Sequence, residues 1–405
     1  MKVAIKDLGE IITGNTPSKS IPDFWNSKDI YFIKPDIISD ENINYIKKSK
    51  EYISNIAEKK ARVVYGKAIF VTCIGSIGKI GVIESGKYAF NQQINAIVPN
   101  ENINIKYLAY NLLFNKKRLE AIANAPVVPI INKKQFGDFT INIERDKIKQ
   151  EKITKVLDKI SIIIDKRKQE LIQLDNLIQS RFVELFGDAV YNDKKWETDT
   201  VKNLCKEIYG GGTPSKAHPE YYKDGNIPWV SAKDMKTDVL KDSQIKINQL
   251  GVDNSTARLV PVNSVIMVIR SGILKHTLPV AVNKVPITVN QDLKVFIPGE
   301  RILTRFLAVQ FKMQEKDILS GVRAVTADNI EFNSLKQRRM IVPPIDLQQK
   351  YLMFLERIDK SKFVIHKFLY CTTHNTKSII KPRPNTKESG KIRGRETTCR
   401  RILTF

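Results

Sequence analysis

The sequence predicts an α/β (α+β) protein: two similar globular domains with mixed sheets, joined by two long antiparallel coiled-coil helices. Three observations carry this expectation: a whole-domain internal repeat, two stretches of sustained heptad pattern, and short apolar strands punctuated by turns inside each repeat. At 405 residues the chain is long enough for more than one core.

The first domain is read over 1–143 and the second over 191–343. Gly14-Asn15-Thr16-Pro17-Ser18-Lys19 returns as Gly211-Gly212-Thr213-Pro214-Ser215-Lys216, and Pro22-Asp23-Phe24-Trp25 returns as Pro219-Glu220-Tyr221-Tyr222 at the same spacing. Ala61-Arg62-Val63-Val64 answers to Ala257-Arg258-Leu259-Val260, and Asn91-Gln92-Gln93 to Asn290-Gln291-Asp292. Strands are expected at Ala68 to Thr72, between turn glycines, and at Val265 to Ile269, with helices from Ile105 to Leu119 and from Ile302 to Met313.

Between the domains, 144–190 is expected to be a long spacer helix. No Gly or Pro occurs from 145 to 186, and Ile153, Leu157, Ile160, Ile164, Leu171, Leu174 and Ile178 step by four and three. Such a helix spans roughly 60 Å, and Gly187 is placed to end it. A distal helix is read over 344–369, opening after Pro343-Pro344 and stepping through Leu347, Tyr351, Phe354, Ile358 and Ile365, with Ser361 as a polar interruption. It is expected to be shortened, roughly 36 Å. Residues 370–405 are rich in Lys and Arg, lack apolar period, and read as an atypical disordered tail.

Charge then narrows the function. Sixty-seven basic against forty-three acidic residues leave a net +24, which points to a polyanionic partner. No apolar run is long enough for a membrane span, so no membrane is expected, and the absence of a signal-like N-terminus predicts a cytoplasmic location. Four scattered cysteines and four scattered histidines suggest neither a disulfide framework nor a metal site. Cys73 to Gly81 fails the phosphate-loop pattern at both ends, and no G-x-G-x-x-G is present. Pro35-Asp36 with Glu58-Lys59-Lys60 imitates a metal nuclease core that the second copy lacks. No catalytic residue and no resident cofactor are expected.

The contact candidates follow from chemistry. Thr16, Ser18 and Lys19, with Thr213, Ser215 and Lys216, suit phosphate; Ser76 and Lys79, with Ser271 and Lys275, sit on Gly-containing turns that let a backbone approach. Lys34, Lys233 and Arg270 are further basic candidates. Arg62, Arg258, Gln92, Gln291 and Asn290 have the donors and acceptors that base edges require. Trp25 and Trp229 either stack on the ligand or belong to the core.

Taken together, the doubled Gly-x-Thr-Pro-Ser-Lys opening, the Asn-Gln pairs at 91 and 290, and the central run from Leu174 and Asp175 through Gln179, Ser180, Arg181 and Phe182 to Phe186, Gly187 and Asp188 resemble the specificity subunits of type I restriction-modification enzymes. The resemblance spans residues 1 to about 369. It implies two target-recognition domains that each read half of a split, asymmetric site in double-stranded DNA, with two paired helices setting the gap. It also implies partners: two modification subunits that methylate adenine with S-adenosylmethionine, and restriction subunits that use ATP and Mg. The departure is the C-terminus, where a frameshift or recombination junction near 369 is inferred. A stand-alone Mg-dependent nuclease, and a non-specific basic RNA-binding or scaffold protein, are the alternatives.

Overall fold

Runs rich in Val, Ile and Phe form the centre of each repeat. Ala68–Thr72 and Ile80–Ile83 are buried along their whole length, as strands covered on both faces must be. They belong to a five-stranded sheet ordered Gly9–Thr13, Ile94–Pro99, Ala68–Thr72, Ile80–Ile83, Asn44–Tyr45, in which only the last pair is parallel. A four-stranded sheet stands beside it, with Ile30–Ile33 parallel to Lys87–Phe90.

The second repeat rebuilds the same order from different residues: Cys205–Gly210, Leu293–Pro298, Val265–Val268, Val280–Asn283, Val239–Leu240, again with one parallel pair at the edge. Its companion sheet has three strands, with Ile227–Val230 parallel to Thr288–Val289. The expected mixed sheets are therefore present in both copies.

Our computed structural model describes residues 1–123, 127–324 and 328–380. By contacts the chain divides into two units: Met1–Gln169 with the chain from Ile365 on, and Glu170–Val364. Each unit thus combines one repeat with part of each long helix.

Buried glutamines dock the helices on their domains. The Gln150 carbonyl oxygen accepts the Asn104 backbone N–H at 2.8 Å, and the Gln348 oxygen accepts the Leu303 N–H at 2.9 Å, while both amides donate to nearby carbonyls. Each satisfies the N-terminal end of a domain helix, Ile105–Phe114 or Thr304–Met313, where backbone donors lack intrahelical partners.

The central helix runs Lys147–Phe186, 40 residues, inside the expected 144–190. Gly187 ends it at φ 77°, a conformation an L side chain resists, and a Cβ there would lie 2.0 Å from an Asp193 carboxylate oxygen.

The distal helix departs from expectation. It runs Ile345–Ile380, 36 residues and about 54 Å, rather than stopping at 369. Thr372 to Thr376 interrupt the apolar period but contain no Gly or Pro, so the helix continues. The remainder of the expected tail, from 381, lies outside the described residues.

Along the seam, Ile153 and Leu157 pack on the first domain, Leu157 against Tyr110. Ile160, Ile164, Leu171, Leu174 and Ile178 are half-buried, and Ile358 and Ile365 are buried. In the second unit the helices are antiparallel: the Tyr351 hydroxyl donates to the Ile178 carbonyl at 3.2 Å, and Lys362 pairs with Asp175. Leu347, Tyr351 and Phe354 pack with the second domain's core. In the first unit, Arg167 lies over the Phe368 ring at 5.7 Å.

Candidate nucleic-acid interface

The repeated Gly-x-Thr-Pro turn follows the edge strand of each five-stranded sheet and presses on the Asn-Gln turn. A Cβ on Gly14 would lie 2.2 Å from the Asn91 carbonyl oxygen, and one on Gly211 would lie 1.9 Å from that of Val289. Only glycine permits this approach.

The consequence is a shared side-chain bond. The Thr16 hydroxyl donates to the Gln92 carbonyl oxygen at 2.8 Å, and Thr213 donates to Gln291 in the same way. In both copies the Thr and Gln are exposed while the intervening Pro is buried, so the bond sits at the surface of a fixed scaffold. Among the described residues the Gln amide nitrogen and a free lone pair on its oxygen remain available, the combination that reads an adenine edge.

Neighbouring candidates gather around this pair. Asn15 accepts the Arg62 backbone N–H at 2.6 Å and donates to the Lys60 carbonyl, which ties the exposed Arg62 to the turn. Ser18 and Lys19 are exposed, with Lys19 over the Trp25 ring at 5.7 Å. The loop carrying Ser76 and Lys79 begins beside Gln93, whose carbonyl accepts the Cys73 N–H at 2.7 Å. Ser215 and Lys216 are exposed in the second copy.

Other candidates are placed differently. Asn290 is buried, its amide donates to Asp292 at 3.0 Å and its oxygen accepts the Asp292 N–H, so it braces the turn. Lys34 is spent on an ion pair with Glu51, and Lys79 reaches the Pro35 carbonyl at 3.4 Å. Arg258 pairs with Glu207 at the surface, a weak and exchangeable pair, while Arg270 pairs with partly buried Asp292 and Lys275 with buried Asp328. Ser271 caps the short turn that follows it. Lys233 lines a groove in the second unit.

Trp229 is buried with its indole N–H on the Gly212 carbonyl at 3.0 Å, and Trp25 donates to the Ser18 carbonyl at 3.1 Å. Both tryptophans hold the turn in place.

Sequence reading missed Lys294 and Lys336, which flank the Phe332 ring at 4.8 and 4.2 Å. Burial, reinforced by Lys336 and Arg270, holds the Lys294 ammonium below the usual lysine value, so a polyanion there relieves repulsion. A partly buried strand lysine carries no sequence signal.

Burial pushes the Cys73 and Cys205 thiols up to about 12. At pH 8 Cys73 is therefore expected to escape iodoacetamide in the native protein and to react fully in urea, as read by peptide mass mapping. Native-state modification at the urea rate contradicts this burial. Among the described residues no group of three or more His, Cys, Asp or Glu is placed to hold a metal ion, and no helix is long and apolar enough to cross a membrane.

Two copies of one mixed-sheet domain, each presenting the same Thr–Gln shelf and followed by a long helix, define a duplicated two-domain protein. Its sequence matches the type I restriction modification DNA specificity domain twice, over residues 1–176 and 193–369, and the chain belongs to that family.

A specificity subunit of the type I restriction enzyme EcoR124I/EcoR124II from Escherichia coli is 33% identical over 222 residues, 54% of each chain. The match thus spans about half the length of that relative. The MjaIX specificity subunit of Methanocaldococcus jannaschii is 24% identical over 371 residues, 86% of this chain and 84% of its own. The fold is shared with the S subunit of the M. genitalium type I restriction-modification system, with a TM-score of 0.53 at 14% identity over 94% of this chain and 95% of that one. A second structure, from work on assembly and conformational transition of the type I system, gives a TM-score of 0.59 at 14% identity over 94% and 96%.

Proposed function

We propose that this chain is the DNA-reading, non-catalytic specificity subunit of a type I restriction-modification complex in the cytoplasm. Each domain reads one half of a bipartite, asymmetric duplex site, and the paired helices set the gap. Two modification subunits with S-adenosylmethionine methylate adenine, and restriction subunits with ATP and Mg cleave; the chain itself supplies recognition alone. The observation that carries this reading is the Thr16–Gln92 and Thr213–Gln291 pair, exposed at the same place in two copies of a strongly basic chain.

The test is co-expression with a modification subunit in a methylation-free host, followed by genome-wide mapping of methylated adenine. One two-part motif with a fixed gap is the expected result. Cleavage by the purified chain with Mg alone, or binding indifferent to a two-part duplex, overturns it. A parallel chain cut after residue 369 measures what helical residues 370–380 add to assembly.

Binding should also weaken steeply with salt. If roughly 6–10 phosphates are contacted, affinity falls about 10³- to 10⁵-fold between 50 and 200 mM salt. A flat response in a filter-binding titration contradicts a phosphate-dominated footprint.

A further inference from the structure

The two copies diverge where each domain helix faces its long helix. Tyr45 pairs in register with Val82, and Val239 with Val282, so Tyr45 and Val239 occupy equivalent strand positions. The ten-residue helices Ile105–Phe114 and Thr304–Met313 place Val309 where the first copy has Tyr110, and Met313 where it has Phe114. Three aromatic side chains are thereby exchanged for smaller aliphatic ones.

In the first unit these rings fill the space. Tyr110 is buried, stacks on Phe114 at 6.3 Å and donates to Asp158 at 2.8 Å, while Tyr45 lies under the Lys106 ammonium at 5.0 Å. The loop Asp40 to Asn42 is fastened down as well: Asp40 pairs with Lys116, Glu41 with Lys168, and Asn42 donates to Asp165 at 3.0 Å. Tyr110, Phe114 and the carboxylates plug the site, with Tyr45 at its exposed rim.

In the second unit Val239, Val309 and Met313 instead line an open groove of about 1000 Å³. Its floor includes Leu278, Val280 and Leu355, and six lysines and arginines stand around it against four carboxylates. Arg305 and Lys362 are paired with Asp359 and Asp175, but Lys233 and Lys236 are exposed and have no ion pair among the described residues. The corresponding loop bonds locally, with the Asp234 carboxylate accepting the Ser231 hydroxyl at 2.8 Å and the Gln244 N–H at 2.9 Å.

We propose that this groove seats an acidic peptide segment of another protein that carries aromatic side chains. The rings take the volume that Tyr110 and Phe114 take in the first unit, and the carboxylates face Lys233 and Lys236. Apolar floor, unpaired lysines and the self-filled counterpart each specify one part of that ligand.

The test uses the full chain and a fluorescein-labelled peptide, Asp-Glu-Tyr-Phe-Asp-Glu, followed by fluorescence anisotropy. Saturable binding is expected, weakened about tenfold or more when the peptide's Tyr and Phe become Ala, and by a similar factor in the V309Y/M313F variant, which refills the groove with residues the first copy already accommodates. The K233E/K236E variant, which leaves the floor intact, should lose binding to a like extent. Absence of saturable binding, or equal binding by both variants and the parent, overturns the proposal. Displacement of the peptide by duplex DNA, with DNA affinity falling in V309Y/M313F, overturns it in favour of a nucleic-acid groove.

Discussion

Phe186→Ala is expected to destabilise the second unit by about 3–5 kcal/mol, the usual cost of deleting a fully buried ring. Phe186 meets Phe306 at 4.9 Å, Phe182 at 5.0 Å and Tyr351 at 5.5 Å between ring centroids, and all four side chains are fully buried. Central helix, domain helix and distal helix each contribute to this cluster, so the cavity left by Ala cannot be closed by moving one element. For a unit of this size the unfolding midpoint should fall by roughly 6–20 °C. Calorimetry should show the loss in one transition, and Phe363→Ala, on the exposed side of the distal helix, should shift it little. Equal shifts from both variants contradict the packing described.

Gln92→Ala and Gln291→Ala are expected to weaken DNA binding by about 1–3 kcal/mol each, roughly 5- to 150-fold. The two effects should separate by half-site: base changes in one half of the cognate site should cost nothing further in one variant and their full amount in the other. Thr16→Val and Thr213→Val should give smaller losses in the same halves, since each threonine positions its glutamine. Competition binding with half-site variants reads this directly, and identical losses on unrelated duplexes would show that the glutamines do not discriminate bases.

Much of the architecture was legible because duplication prints itself twice. The Gly-x-Thr-Pro and Asn-Gln motifs located equivalent turns before any sheet was known, and the glycine-free heptads located the central helix. Contacts and ends were less legible. An apolar stripe shows that a face is covered, but not by what, and Ile153 and Leu157 pack on the first domain. The distal helix was cut short because Thr372 to Thr376 break the apolar period, although the absence of Gly and Pro before Pro382 allowed it to continue. The bracing role of Asn290 was not legible, because an asparagine suited to a base is equally suited to brace a turn. The open groove emerged only when register paired Val239, Val309 and Met313 with their aromatic counterparts.

The first unit is assembled from chain on both sides of the second: it takes in residues up to Gln169 and resumes at Ile365. On a ribosome adding about 5–20 residues per second, the nascent chain must wait on the order of 10–40 s between making Arg167 and making Phe368, whose ring it covers. Ile160 and Ile164 emerge long before that closing segment exists, so the interval is one in which a chaperone or a neighbouring nascent chain can compete for the helix.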